Sequence, residues 1–70
     1  MRRYRVLSEA IRSVGYDEDT AVLEVEFRSG SVYDYDDVAP EEVLELLRSD
    51  SLGRWFGANI RRTHASRRVA

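Results

Sequence analysis

From Leu23 to Phe27, large apolar residues alternate with charged ones. Leu23, Val25 and Phe27 fall on one side by the period of two, and Glu24, Glu26 and Arg28 on the other. The alternation predicts a β-strand over about residues 21–28 with its first face buried. A second β-rich run, Val32-Tyr33-Asp34-Tyr35, follows Arg28-Ser29-Gly30, and the two together read as a β-hairpin. If Arg28, Ser29 and Gly30 form a three-residue loop with Gly30 in the left-handed conformation, Val25 pairs with Tyr33 and Leu23 with Tyr35. Both tyrosines then join the apolar face. A two-residue Gly30-Ser31 loop would set Tyr33 against Arg28 and Tyr35 against Glu26 and leave Phe27 facing Asp34, so the longer loop is preferred.

Upstream, Ile11, Val14 and Tyr16 are the large apolar residues of a strand over about 10–16, and their uneven spacing predicts a bulge near Arg12 or Ser13. Asp17-Glu18-Asp19-Thr20 supplies the turn into the next strand. Downstream, Pro40 suits a first helical turn, followed by Glu41, Glu42 and Glu45 and by the apolar Val43, Leu44, Leu46 and Leu47. A helix over about 40–48 is predicted, then a shorter one capped by Ser51, running through Trp55 and Phe56, with Gly57 able to end it. The implied fold class is α+β: a small three-stranded antiparallel β-meander, at about 10–16, 21–28 and 31–36, followed by two short helices packed on one face. Leu23, Val25, Phe27, Tyr33, Leu44 and Leu47 are the expected core. Residues 1–5 are expected to be a flexible basic arm, 6–62 the domain, and 63–70 a flexible basic tail.

Composition narrows this picture. Seventy residues make one domain with no cysteine, and a chain of this size buries only about 60% of its unfolded surface. Without disulfides or thiolate metal sites, its stability should be modest. No apolar run approaches a membrane span or a signal peptide, so a soluble, cytoplasmic protein with no membrane partner is expected. The formal charge of -2 conceals segregation along the chain. Residues 1–8 carry Arg2, Arg3 and Arg5; residues 9–50 hold all thirteen acids against Arg12, Arg28 and Arg48, a balance of -10; residues 51–70 carry five arginines. All eleven basic residues are arginine, which suits bidentate contacts to phosphate or carboxylate. The competing reading is compositional bias, with solvated charged faces and no ligand.

Several local signals in order resemble the KTSC domain, a short family named after an extension at the C-terminus of some lysyl-tRNA synthetases. They are Ser8 and Ile11, Gly15-Tyr16-Asp17, Leu23-x-Val25-x-Phe27-x-x-Gly30, Tyr33-x-Tyr35, Val38 before Pro40, and Ser51-x-Gly53-x-Trp55-Phe56 leading to Ile60-Arg61. They cover about Val6 to Arg62. The resemblance implies a free-standing bacterial or phage protein, in a family without an assigned function for which RNA binding is suggested. It implies no mechanism.

The residues that could carry nucleic-acid binding are Arg54, Trp55, Phe56, Arg61 and Arg62, with Tyr33 and Tyr35. Trp55 and Phe56 point about 100° apart on a helix, so one packs and the other is partly exposed beside the arginines. Tyr33 and Tyr35 could form a stacking platform for single-stranded bases, but the preferred register turns their rings toward the helices as core. The candidate partners are therefore single-stranded RNA or tRNA, with a protein partner or self-association through an open edge strand as the alternative. No enzyme is expected, because His64 is the single histidine and stands in the expected tail without a nucleophile. No cofactor or metal is implied. Asp34, Asp36 and Asp37 lack the glycine and terminal glutamate of a calcium loop.

Overall fold

The computed structural model of the chain describes residues 1–70. The chain runs β1 (Arg2–Arg5), β2 (Ile11–Asp17), β3 (Val22–Phe27), β4 (Val32–Tyr35), α1 (Pro40–Arg48), α2 (Leu52–Asn59) and β5 (Ser66–Arg68). All strands lie in one sheet in the order β1-β2-β3-β4-β5, and every neighbouring pair is antiparallel. The expected three-stranded meander is thus corrected to a five-stranded sheet. The two additional strands come from the segments read as arm and tail. Their side chains carry almost no β pattern of their own, and they hold their places as sheet edges through backbone bonds to β2 and β4.

The β3–β4 hairpin has the register deduced from the alternation, with Leu23 opposite Tyr35 and Val25 opposite Tyr33. Gly30 has φ 102°, the left-handed conformation that closes the three-residue loop. The bulge is present as well: Ile11 pairs with Phe27 but Ser13 pairs with Glu26, so Arg12 is squeezed out of the ladder.

The helices cover one face of the sheet. Ile11, Val14, Tyr16, Leu23, Val25 and Tyr35 meet Val38, Val43, Leu46, Leu52, Phe56 and Ile60 in a single core. Within the expected core, Leu23 and Val25 are fully buried, whereas Phe27, Tyr33 and Leu47 are half-buried. Leu44 is corrected outright, being 56% exposed, and Val43 and Leu46 point inward in its place. Ser51 caps α2 by accepting from the Arg54 N–H at 3.4 Å. The helix runs through Gly57 to Asn59, so Gly57 does not end it.

The opposite face of the sheet carries one row of residues in register across all five strands: Arg3, Gly15, Glu24, Asp34 and Arg67. Gly15 has a specific reason here. A Cβ at that position would lie 3.0 Å from Arg3 Nη2 and 2.7 Å from Met1 Sδ, so the missing side chain lets the Arg3 guanidinium cross β2 and pair with Glu24. Arg3 Nη1 also donates to Ser13 Oγ, which donates to Glu26 Oε1, each at 2.8 Å.

Candidate nucleic-acid interface

The fold separates the residues singled out on sequence into a packed set and an exposed set. Phe56 is 3% and Tyr35 4% exposed. Their rings meet edge to face at 5.1 Å, and Phe27 extends the cluster to Phe56 at 5.9 Å and to Tyr33 at 6.0 Å. Tyr35 and Phe56 are therefore core rather than an open stacking platform, while Tyr33 and Phe27 stand half-buried at the cluster's edge. Trp55, one residue away on the same helix, is half-buried against the core edge, as two adjacent residues on a single-sided helix must divide.

Arg54, Arg61 and Arg62 are exposed. Ion pairs within contact distance engage Arg3 with Glu24, Arg48 with Glu45, and Arg67 with Asp34 and Asp36, so none of these three arginines has a carboxylate partner. Arg61 lies close enough to the Tyr35 hydroxyl to act on it electrostatically. Burial pushes that phenol above its ordinary value, and the Arg61 charge pulls part of the way back. The structure therefore brings Arg61 to the margin of the Tyr33–Tyr35–Phe56 cluster, with Trp55 on the same helix as Phe56.

Charge is segregated in space differently from the way it is segregated along the chain. The β2–β3 turn (Asp17, Glu18, Asp19) and the start of α1 (Glu41, Glu42) converge at one end of the sheet. Their combined effect is visible at Tyr16, whose hydroxyl is pushed up by burial first and then by Glu18, Glu41, Glu42 and Asp17. It donates to the Val38 carbonyl at 2.6 Å. Arg12 and Arg28 belong to the acidic middle by sequence, yet they stand at the opposite end with Arg5. The uneven spacing that predicts a bulge near Arg12 or Ser13 turns one residue out of the ladder but does not say which strand ends it meets.

His64 differs most from its sequence-based reading. Instead of lying in a free tail, its ring is clamped, with Nδ1 2.8 Å from the Asp36 carbonyl and Nε2 2.8 Å from Glu42 Oε2. The other Glu42 oxygen accepts the Ala39 N–H at 3.0 Å. Desolvation opposes ionisation of Glu42, but the Ala39 N–H and His64 outweigh it and hold the carboxyl below its usual value. These contacts tie the segment leading into β5 to the start of α1. Of the three aspartates Asp34, Asp36 and Asp37, the first two face Arg67 at 3.6 and 2.7 Å.

The KTSC domain model matches residues 7–64. The chain belongs to the KTSC domain family. Its relatives include an uncharacterized protein of Stutzerimonas stutzeri, 47% identical over 64 residues and covering 91% of this chain and 90% of the relative. A protein of Tsukamurella paurometabola is 36% identical over 56 residues, covering 80% and 84% of the two chains. Among solved structures, the crystal structure of a KTSC domain protein from Yersinia pestis superposes with a TM-score of 0.94 at 32% identity, covering 99% of this chain and 97% of that one. The five-stranded sheet and helix pair are thus shared with an experimentally determined KTSC domain.

Proposed function

We propose that this KTSC domain is a small non-catalytic binding module for single-stranded nucleic acid, RNA or a single-stranded part of tRNA foremost. It would read shape and phosphate rather than sequence. The observation that carries the reading is the set of exposed, carboxylate-free arginines on α2 and the turn after it, Arg54, Arg61 and Arg62, alongside the half-buried Trp55. Guanidinium groups engage phosphate oxygens bidentately, and a half-exposed indole offers an unstacked base a surface to stack on. Phe56 and Tyr35 support this surface from beneath, and Tyr33 reaches its margin.

A titration of short single-stranded RNA at low salt, followed by Trp55 fluorescence and backbone amide shifts, tests the reading. With about three to five phosphates contacted, log K should fall against log salt with a slope of about -2 to -3.5. Replacing Arg61 and Arg62 together should weaken all sequences alike, whereas Trp55→Leu should weaken single strands more than duplex. No response at submillimolar protein, or shifts confined to Asp34–Asp37, would refute it.

One observation favours a protein partner instead. Leu44 stands exposed beside Pro40, Val43 and Leu47 at a cavity of about 450 Å³ on the acidic side of the domain. Sedimentation at two concentrations separates self-association through that surface from the monomer that nucleic-acid binding expects.

A further inference from the structure

At the corner where β1 ends, β2 begins and β3 ends, three arginines line one cavity and no carboxylate does, Glu9 and Glu26 lying outside its lining. Arg5 closes β1, Arg12 is the bulged residue of β2, and Arg28 opens the β3–β4 loop; with Val6 and Leu7 they line a cavity of about 430 Å³. That volume falls within the range of small-ligand sites, roughly 300–1,000 Å³. None of the three arginines is ion-paired. The carboxylate closest in the strand register, Glu26, accepts the Ser13 hydroxyl through Oε1 and lies within ion-pair distance of none of the three.

The corner is built rather than accidental. The Val6 N–H donates to the Arg12 carbonyl at 3.4 Å, and the Arg28 N–H donates to the Ala10 carbonyl at 2.8 Å. Arg28 Nε donates to the Ser8 carbonyl at 2.8 Å, which fixes the root of the guanidinium while both of its terminal nitrogens stay without a protein acceptor. The bulge fixes Arg12 beside it. Three like charges held together on an acidic chain repel one another, and the residues lining the cavity offer nothing to neutralise them. A single anion with several oxygens would satisfy all three.

From this we infer that the Arg5–Arg12–Arg28 corner is a phosphate-binding site, taking a phosphate monoester or free phosphate. A carboxylate offers one charge and two oxygens, too few for three forks. A phosphate dianion offers two charges and three equivalent oxygens, one for each guanidinium. The exposed Leu7 beside it gives the ester group an apolar surface. No arginine of α2 or of the turn after it lines this cavity, and the inference goes beyond the nucleic-acid reading without depending on it.

The test uses the whole chain at constant ionic strength, with inorganic phosphate, ribose 5-phosphate, and a short RNA with and without a 5′-phosphate as probes. Backbone and arginine Nε resonances are followed in the native protein and in Arg5→Gln, Arg12→Gln and Arg62→Gln. Arg28 is left intact because it holds the Ser8 carbonyl; the two substituted corner residues are exposed, and an unchanged thermal transition verifies their folding. The expected result is saturable shifts at Leu7, Arg12 and Arg28, weakened about tenfold by Arg5→Gln or Arg12→Gln and unaffected by Arg62→Gln. Equal binding of inorganic phosphate and ribose 5-phosphate assigns the site to small phosphates; a preference for the 5′-phosphorylated RNA assigns it to a nucleic-acid end. Shifts that rise linearly without saturation, or that fall as much with Arg62→Gln as with Arg12→Gln, overturn the site, whatever the outcome of the titration of unphosphorylated RNA.

Discussion

Single side chains set most of what is particular to this domain, and Glu24 shows how. It lies between Arg3 and Asp34 in the row across the open face. Burial pushes its carboxyl above the usual value, followed by its closeness to Asp34, and Arg3 pulls against both. A raised carboxyl binds more protons folded than unfolded, so this group opposes folding once pH rises through its folded value. Asp34 Oδ1, meanwhile, is buried without a hydrogen-bond partner. Glu24→Gln should therefore stabilise the protein at neutral pH by about 0.5–1 kcal/mol, because the amide oxygen still accepts from Arg3 while its NH₂ donates to Asp34. Urea unfolding at pH 7 checks this, and a loss of stability contradicts the proposed conflict. Glu42 has the opposite sign. Its carboxyl is held below the ordinary carboxylate value, so its contribution is complete above that ordinary value and is lost as pH falls through the folded one. Glu42→Gln should cost about 1 kcal/mol at neutral pH, with the gap to the native protein closing in acid. A gap that stays constant down to the lowest pH at which the fold persists would show that His64 and Ala39 do not read the carboxylate charge.

Elements whose pattern is local could be read from sequence; those positioned by partners could not. The β3–β4 register followed from alternation plus one glycine, and the limits of α1 from Pro40 and its acids. The rotation of α1 about its axis did not follow, because Val43, Leu44, Leu46 and Leu47 offer two equivalent i,i+3 stripes. The choice is made from outside the helix. Both Glu42 oxygens are anchored, one on Ala39 and one on His64, and Val38 is buried just before the first turn, so the Val43–Leu46 stripe faces the sheet. Leu46→Ala should then cost about 2–5 kcal/mol and Leu44→Ala under about 0.5 kcal/mol, with half-buried Leu47→Ala between them. Chemical denaturation of the three variants gives the order directly, and Leu44 costing more than Leu46 would mean that α1 is rotated. Of the candidate binding residues, the exposure of Arg54, Arg61 and Arg62 was readable because charge seldom leaves water. The grouping of Arg5, Arg12 and Arg28 was not, because it depends on which strand ends meet.

At the scale of the molecule, the basic termini gain a structural meaning that linear charge counting hides. The two edges of the sheet are β1, Arg-Arg-Tyr-Arg, and β5, Ser-Arg-Arg. An edge strand presents unpaired backbone groups to any other strand, and a dense row of like charges discourages a second copy from adding to it. Arginine at the termini thus guards both edges, while Arg54, Arg61 and Arg62 on and after α2 and Arg12 and Arg28 of the β1–β2–β3 corner lie off those two edge strands and remain available to ligands; Arg5, at the end of β1, belongs to both sets. The two roles can be separated by experiment. Arg2 and Arg68 carry no ion pair and lie outside the phosphate corner, so replacing both by threonine should leave the fold and phosphate binding intact while removing charge from each edge. The native chain should sediment as a monomer at every concentration. The Arg2→Thr/Arg68→Thr variant should shift toward dimers or larger species as concentration rises, and more so in high salt, where the remaining arginines repel less. If the variant stays monomeric under both conditions, the edge arginines are not what keeps copies of this sheet apart.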